Sequence, residues 1–180
     1  MTLDTCTIES PVGPLRLVAH DDRLVACRFE SVPERVESAF AQLHRYLGNC
    51  EPREHHDPAG SVGRLTRYFA GDLRALDEQP VELLGTAFQR RCWEALREIA
   101  PGETWTYAQL ARHIGKPAAM RAVGAANGAN FVAIFVPCHR VIAADHTLWG
   151  YGGGLDRKRW LLTHEGAAFA DKHAQESLEL

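Results

Sequence analysis

Alternation is the first pattern along the chain. Leu15, Leu17 and Ala19 fall on every second position, Asp21-Asp22-Arg23 interrupts them, and Leu24-Val25-Ala26-Cys27-Arg28-Phe29 follows, which predicts a β-hairpin. From Val32 to about Leu47, the apolar residues Val36, Ala39, Phe40, Leu43 and Leu47 recur at helical spacing, and residues 48–60, rich in Gly, Asn, Pro and His, read as a loop. These elements predict an N-terminal α+β domain over residues 1–84. After Gly85 the pattern turns helical, with Thr86 as N-cap, Phe88, Cys92, Ala95, Leu96 and Ile99 on one face, and Pro101-Gly102 as a stop. A second, mainly helical domain is expected over 85–168, and residues 169–180 read as a polar tail.

Within that second domain, Thr106 and Gln109 have the spacing of a capping box opening a short helix, Tyr107 to about Ile114, which Gly115 can end. A new helix is predicted to start at Pro117, because proline suits the first helical position. Ala118, Ala119, Ala122, Gly124, Ala125 and Ala126 leave it almost without side-chain bulk. Two short helices about a tight turn make a helix-turn-helix. So thin a helix ordinarily packs in a core. Arg121 offers another use, since a lone guanidinium on a slim helix can approach a groove by shape rather than by reading bases.

Composition narrows the class. With 46% hydrophobic and 24% charged residues over 180 positions, the chain has the make-up of a folded protein and not of a disordered one. No apolar run approaches the roughly 18 residues that span a bilayer, and Thr2, Asp4 and Glu9 do not form a basic-then-apolar leader, so a cytoplasmic protein with no membrane partner is expected. Cys6, Cys27, Cys50, Cys92 and Cys138 are odd in number, scattered and never in a CxxC pair, which predicts reduced thiols and no metal. A net charge of −3 argues against a nucleic-acid partner until the chain is divided. Residues 1–104 hold 12 Lys/Arg against 17 Asp/Glu, residues 105–160 hold 7 against 2, and residues 161–180 hold 1 against 4. The basic middle segment can meet phosphates, or can simply be a solvated face.

The chemistry centres on Cys138. Phe131-Val132-Ala133-Ile134-Phe135-Val136 is an apolar run of strand length, predicting a buried strand that delivers Pro137-Cys138-His139-Arg140 at a rigid exit. A cysteine is ordinarily a small buried hydrophobe, and a thiol with a pKa near about 8.5 stays protonated at neutral pH. Here His139 is adjacent, Arg140 adds positive charge, and Glu165 follows a helix-like stretch, Leu155 to His164. A thiol, an imidazole and an orienting carboxylate are the usual parts of an activated nucleophile.

Over most of its length the sequence resembles the O6-alkylguanine-DNA alkyltransferases. The likeness rests on Arg121-Ala122-Val123-Gly124, Asn127-Gly128-x-Asn130, Val136-Pro137-Cys138-His139-Arg140-Val141-Ile142, Gly150-Tyr151-x-Gly153-Gly154-Leu155 and Lys158-x-x-Leu161-Leu162-x-x-Glu165-Gly166. Upstream, Gly85-Thr86-x-Phe88-Gln89-x-x-x-Trp93 and Gly102-Glu103-Thr104-x-x-Tyr107 also fit, and Ser10-Pro11-Val12-Gly13 fits more loosely. The resemblance implies an α+β fold, in which a small ribonuclease H-like domain precedes a winged-helix-like domain carrying the helix-turn-helix. It implies single-turnover direct repair, in which the alkyl group on O6 of guanine, and by an open extension O4 of thymine, passes irreversibly to Cys138 after minor-groove binding and base flipping.

The implied roles follow. His139 takes the thiol proton through a water, Glu165 orients His139, and Asn130 holds the geometry between helix and cysteine. Arg121 fills the gap left by the flipped nucleotide. Tyr107 crowds the target phosphate and supplies a proton or hydrogen bond to the departing guanine. Thr106, Ala122 and Ala126 join them on the DNA face, while Tyr151, Gly152, Val136, Pro137 and Trp149 line the base pocket. The implied partner is double-stranded DNA containing O6-alkylguanine, bound by a monomer that joins the nucleoid only when on DNA. No cofactor is implied, and nothing matches the zinc ligands that some members carry. Trp149 departs from the family, where a small or polar residue is common; its indole either reshapes the pocket rim or packs outside it. Two rivals stand beside this reading, a lesion-binding module without chemistry and a thiol hydrolase using Cys138 and His139. The first lacks a use for the cysteine, and the second an oxyanion hole.

Overall fold

The computed structural model describes residues 1–171. The predicted hairpin forms as β2 (Leu15–His20) and β3 (Arg23–Phe29), and the predicted helix as α1 (Pro33–Leu47). Two strands that alternation did not disclose complete the sheet. They are β1 (Thr2–Ile8), antiparallel to β2, and β4 (Glu51–Glu54), parallel to β1, giving the order β3-β2-β1-β4. β4 falls inside the stretch read as a loop. Its four residues are all exposed at the sheet edge, so it carries no apolar period, and Pro52 is tolerated because an edge strand need not donate on both sides. α2 (Ser61–Phe69), also unread, buries only Ser61, Leu65 and Tyr68.

In the second half both predicted caps form. Thr86 accepts from Gln89 N and receives its side chain in return at the start of α3 (Ala87–Leu96), and Thr106 and Gln109 do the same for α4 (Tyr107–His113). The second helix of the pair, α5 (Met120–Gly128), begins three residues later than predicted. Ala119 N bonds to Lys116 O at 2.8 Å, so Pro117 occupies the second position of a tight turn, where its fixed φ serves as well as at a helix start. Trp93 of α3 is buried and donates from Nε1 to Ala126 O at 2.8 Å, fastening α3 against α5. A short parallel pair, β5 (Trp105–Thr106) and β6 (Val141–Ile142), ties the helix-turn-helix to the segment after the cysteine, and α6 (Leu155–His164) closes the domain.

Phe131–Val136 is buried as expected but is not a strand. Phe131 O and Ala133 N bond to the backbone of Cys27 in β3, after which the chain reverses over Ala133–Val136 with Ile134 at a φ of 72°. That φ is unfavourable for a β-branched residue. Burial on all sides required an apolar run here, and periodicity alone does not distinguish a buried turn from a buried strand. The stretch expected as a tail starts with residues held in place, Ala170 N on His146 O at 2.8 Å and Asp171 paired with Arg159; residues 172–180 lie outside the described residues.

Candidate active site

A cavity of about 630 Å3 opens where the two halves of the chain meet. β3 and α1 supply one wall through Arg28, Phe29, Val32 and Arg35. The opposite wall comes from Tyr107 of α4, Met120, Arg121 and Gly124 of α5, and the loop 149–153, with Asn130 and Cys138 also in the lining. The fit is close at Gly153, where a Cβ would collide with the Phe29 ring.

Cys138 leaves the Ile134 turn with its N–H on Val136 O at 2.8 Å and opens a 3-10 turn, Cys138–Arg140, that buries His139 and Arg140. Asn130 holds the sulfur. Its Nδ2 donates to Cys138 Sγ at 3.1 Å and to Val136 O at 2.9 Å, while its Oδ1 accepts from Val132 N at 2.9 Å. Every group of the amide is thus engaged, and an N–H aimed at sulfur favours the thiolate. Burial nevertheless pushes the thiol above its ordinary 9.0, against the Asn130 bond and the charges of Lys158 and Arg28. At neutral pH the resting sulfur is a thiol.

Behind the sulfur lies a carboxylate without solvent exposure. Glu165 Oε1 accepts from Tyr68 Oη at 2.7 Å, from His139 Nε2 at 3.0 Å and from Arg140 Nη2 at 2.8 Å, and Oε2 accepts from Arg140 Nε at 2.9 Å. Burial opposes its charge, but the interactions with His139 and Arg140 outweigh that and hold the carboxyl well below the usual carboxylate range. Burial also pushes His139 below its ordinary 6.5, against the pull of Glu165, so the imidazole is neutral. With its proton on Nε2, facing Glu165, the ring keeps Nδ1 as an acceptor, and that atom has no partner among the described residues.

Arg140, expected to add charge beside the thiol, does not. Its guanidinium is taken up by Glu165 and the Ile99 carbonyl. The cations that act on the sulfur are Lys158 and Arg28. Lys158 is fully buried, and burial brings its pKa down to about 8. Its Nζ donates to Val141 O at 2.6 Å and Trp149 O at 2.7 Å, anchoring the loop that walls the cavity.

Of the expected site residues, Tyr107, Arg121, Asn130, Cys138, Trp149, Tyr151 and Gly152 meet at the cavity, and His139 and Glu165 stand behind it. Trp149 sits on the rim, 69% exposed. Tyr151 Oη is buried in the lining with no partner among the described residues, and burial raises its pKa well above 10.0. Val136 and Pro137 do not line this cavity: Val136 is buried beneath it, its carbonyl spent on Asn130, and Pro137 faces a smaller crevice beside Arg97 and Arg140. Ala126 does not reach the outer face either, since its side chain is buried where α5 meets α3. Ala122 is exposed, and the Thr106 hydroxyl is engaged in its cap. Sequence reasoning gave no role to Arg28, Tyr68 or Lys158. A cation inside the apolar run of β3 was a signal for the first; Tyr68 stood in a helix with no clear period.

Residues 5–83 match the family model of the 6-O-methylguanine DNA methyltransferase ribonuclease-like domain, and residues 87–167 that of the 6-O-methylguanine DNA methyltransferase DNA binding domain. A methylated-DNA--protein-cysteine methyltransferase of Salmonella typhimurium is 46% identical over 88% of this chain and 93% of its own length. One of Mycobacterium tuberculosis is 46% identical over 88% and 90%. The crystal structure of Mycobacterium tuberculosis OGT in complex with DNA superposes with a TM-score of 0.73 at 42% identity, covering 92% of this chain and 93% of that one. The enzyme from Pyrococcus kodakaraensis, 22% identical with a TM-score of 0.59, shares the fold. With both of its domains matched in order and relatives at this identity over nearly their whole length, the chain belongs to the 6-O-methylguanine DNA methyltransferase family.

Proposed function

We propose that this protein repairs DNA by direct reversal, moving the alkyl group of O6-alkylguanine in double-stranded DNA onto Cys138, once per molecule. The observation that carries the reading is a sulfur in the lining of an open cavity large enough to admit a base, bonded by Asn130 and backed by a neutral imidazole on an ionised carboxylate. An alkyl carbon inside a duplex is out of reach of in-line attack, so the nucleotide must leave the stack. Arg121, exposed on α5 and at the cavity rim, is suited to fill the gap it leaves.

The step balances within the chain and substrate. The Cys138 proton passes through a bridging water to His139 Nδ1, Sγ bonds to the alkyl carbon, the carbon–O6 bond breaks, and the electron pair goes to the purine. The purine then takes up one proton, so the net exchange replaces S–H by S–C. Tyr107, kept protonated by burial and by the nearby Cys138, is the donor on the purine side, and the proton held by His139 then passes through solvent to restore the phenol. The free Tyr151 hydroxyl is the group left to meet the base edge, since a buried polar atom without a partner needs one. A thioether is a poor leaving group, which makes the transfer final. The protein acts as a cytoplasmic monomer with no cofactor, and the division between its halves falls near residue 84. No helix among the described residues is long and apolar enough to cross a membrane.

Intact mass after incubation with an O6-methylguanine duplex tests this. A stoichiometric gain of one methyl on the Cys138 peptide is expected. Binding without gain would return the lesion-sensor reading, and repeated turnover the hydrolase.

A further inference from the structure

Arg28 belongs to β3, in the half of the chain that carries none of the reacting groups, yet it is only 8% exposed and lines the cavity beside Cys138. Its Nη1 donates to Asn130 O at 2.7 Å, and the guanidinium lies 5.7 Å from the Phe131 ring centre. Its Nε is buried with no partner among the described residues. The groups that act on it electrostatically are Arg35, Cys138, Cys27 and Tyr151, and none of them is a carboxylate. A buried guanidinium without a counter-ion is unusual, because desolvation of the charge is left uncompensated. The anion this site makes during transfer is the Cys138 thiolate.

We propose that Arg28 is a positioning residue for alkyl transfer, reaching across from the N-terminal sheet to fix Asn130 against Cys138 and to stand as counter-ion to the thiolate. The inference rests on Cys138 being the alkyl acceptor. Lys158 of α6 also favours the thiolate, but its ammonium is bonded to the Val141 and Trp149 carbonyls and burial brings its pKa down to about 8, so it gives up its charge before Arg28 does. Asn130 is neutral, and Tyr107, Tyr151 and Cys27 are acids that burial keeps protonated. His139, next in the chain, is neutral and turned to Glu165. Burial and Arg35 bring Arg28 down only to about 10, so it is charged throughout the working range. Through the Asn130 carbonyl the N-terminal domain thereby acts on the reacting atom itself.

The test needs no DNA, so its outcome is separate from that of the repair assay. Alkylation of Cys138 by iodoacetamide is followed from pH 6 to 11.5 by peptide mass, which separates it from Cys6, Cys27, Cys50 and Cys92, in the wild type and in Arg28→Met and Arg28→Lys. Loss of the charge is expected to raise the midpoint by about one pH unit and slow the reaction at pH 7 about tenfold. Lysine is expected to restore most of the shift. A merely structural tie would lower the melting temperature of Arg28→Met while leaving the midpoint where it was, and that result overturns the proposal, as does a shift in Arg28→Lys as large as in Arg28→Met. If the methionine variant does not fold, Arg28→Gln, which keeps a donor for the Asn130 carbonyl, takes its place: a raised midpoint supports the counter-ion role and an unmoved one overturns it.

Discussion

The two sides of Cys138 are built on opposite plans. On the interior side the network around Glu165 is closed among the described residues except at His139 Nδ1, with Glu165 taking hydrogen bonds from His139, Arg140 and Tyr68 and Arg140 donating to the Ile99 carbonyl as well. On the cavity side the Tyr151 hydroxyl, Arg28 Nε and Asn127 Oδ1 have no partner among the described residues, and Trp149 and Met120 stand exposed. Saturated buried networks hold one geometry, whereas groups left without partners are ready to meet a ligand. The exception, His139 Nδ1, is the atom that the proposed transfer uses to take the thiol proton. Reactivity is thus assigned to rigid parts and recognition to adjustable ones.

Substitutions on the two sides should therefore separate chemistry, stability and choice of substrate. Cys138→Ala has the largest effect on function, removing transfer altogether while costing less than about 2 kcal/mol of stability, because only one buried atom is lost. Residual methyl uptake by this variant, read by mass, would break the assignment of the nucleophile. Glu165→Ala strikes the interior side and leaves Arg140 buried without its carboxylate, which costs about 3–5 kcal/mol in chemical denaturation. The same contrast has a pH signature. The Glu165 pKa is lowered from 4.5 on folding, so its contribution is present above about pH 4.5 and disappears as acid protonates the folded carboxylate. The His139 pKa is lowered from 6.5, so folding also favours the neutral ring and loses stability as pH falls below about 6.5. The wild-type melting temperature should fall as the pH drops below about 6.5. A melting temperature that rises on acidification would contradict both assignments.

On the cavity side the effects are smaller and fall on the substrate. Arg121→Ala should slow transfer from duplex DNA by about tenfold to a hundredfold, the scale of a few kcal/mol of unstacking, while transfer from a free O6-alkylguanine base is unchanged. Equal losses on both would remove the wedge role. Trp149→Thr should alter the ratio of benzyl to methyl transfer by less than about tenfold, because a rim residue this exposed shapes entry more than chemistry. An unchanged ratio across alkyl sizes would place the indole outside the substrate's path.

What was legible in the sequence follows the same division. The capping boxes at Thr86 and Thr106 were readable because the cap, its partner and the helix lie within four residues of each other. Cys138, His139 and Glu165 were found by residue type and resemblance, and the ion pairing that turns Arg140 away from the thiol was invisible because Glu165 lies 25 residues further on. Arg28 meets Asn130 across 102 positions, a distance over which no local pattern reports. β4 and α2 were silent for a simpler reason: each presents too few apolar residues to mark a period. The turn at Ile134 shows the reverse case, in which a strong apolar signal reported burial truthfully and shape wrongly.

One hydrogen bond spans both halves behind the sulfur. Tyr68, from a helix of the ribonuclease-like half, donates to the oxygen of Glu165 that also meets His139. A gene divided between the halves would therefore yield a C-terminal polypeptide whose Glu165 lacks one of its hydrogen-bond donors, and mixing the two pieces would have to rebuild a seam as well as a binding face.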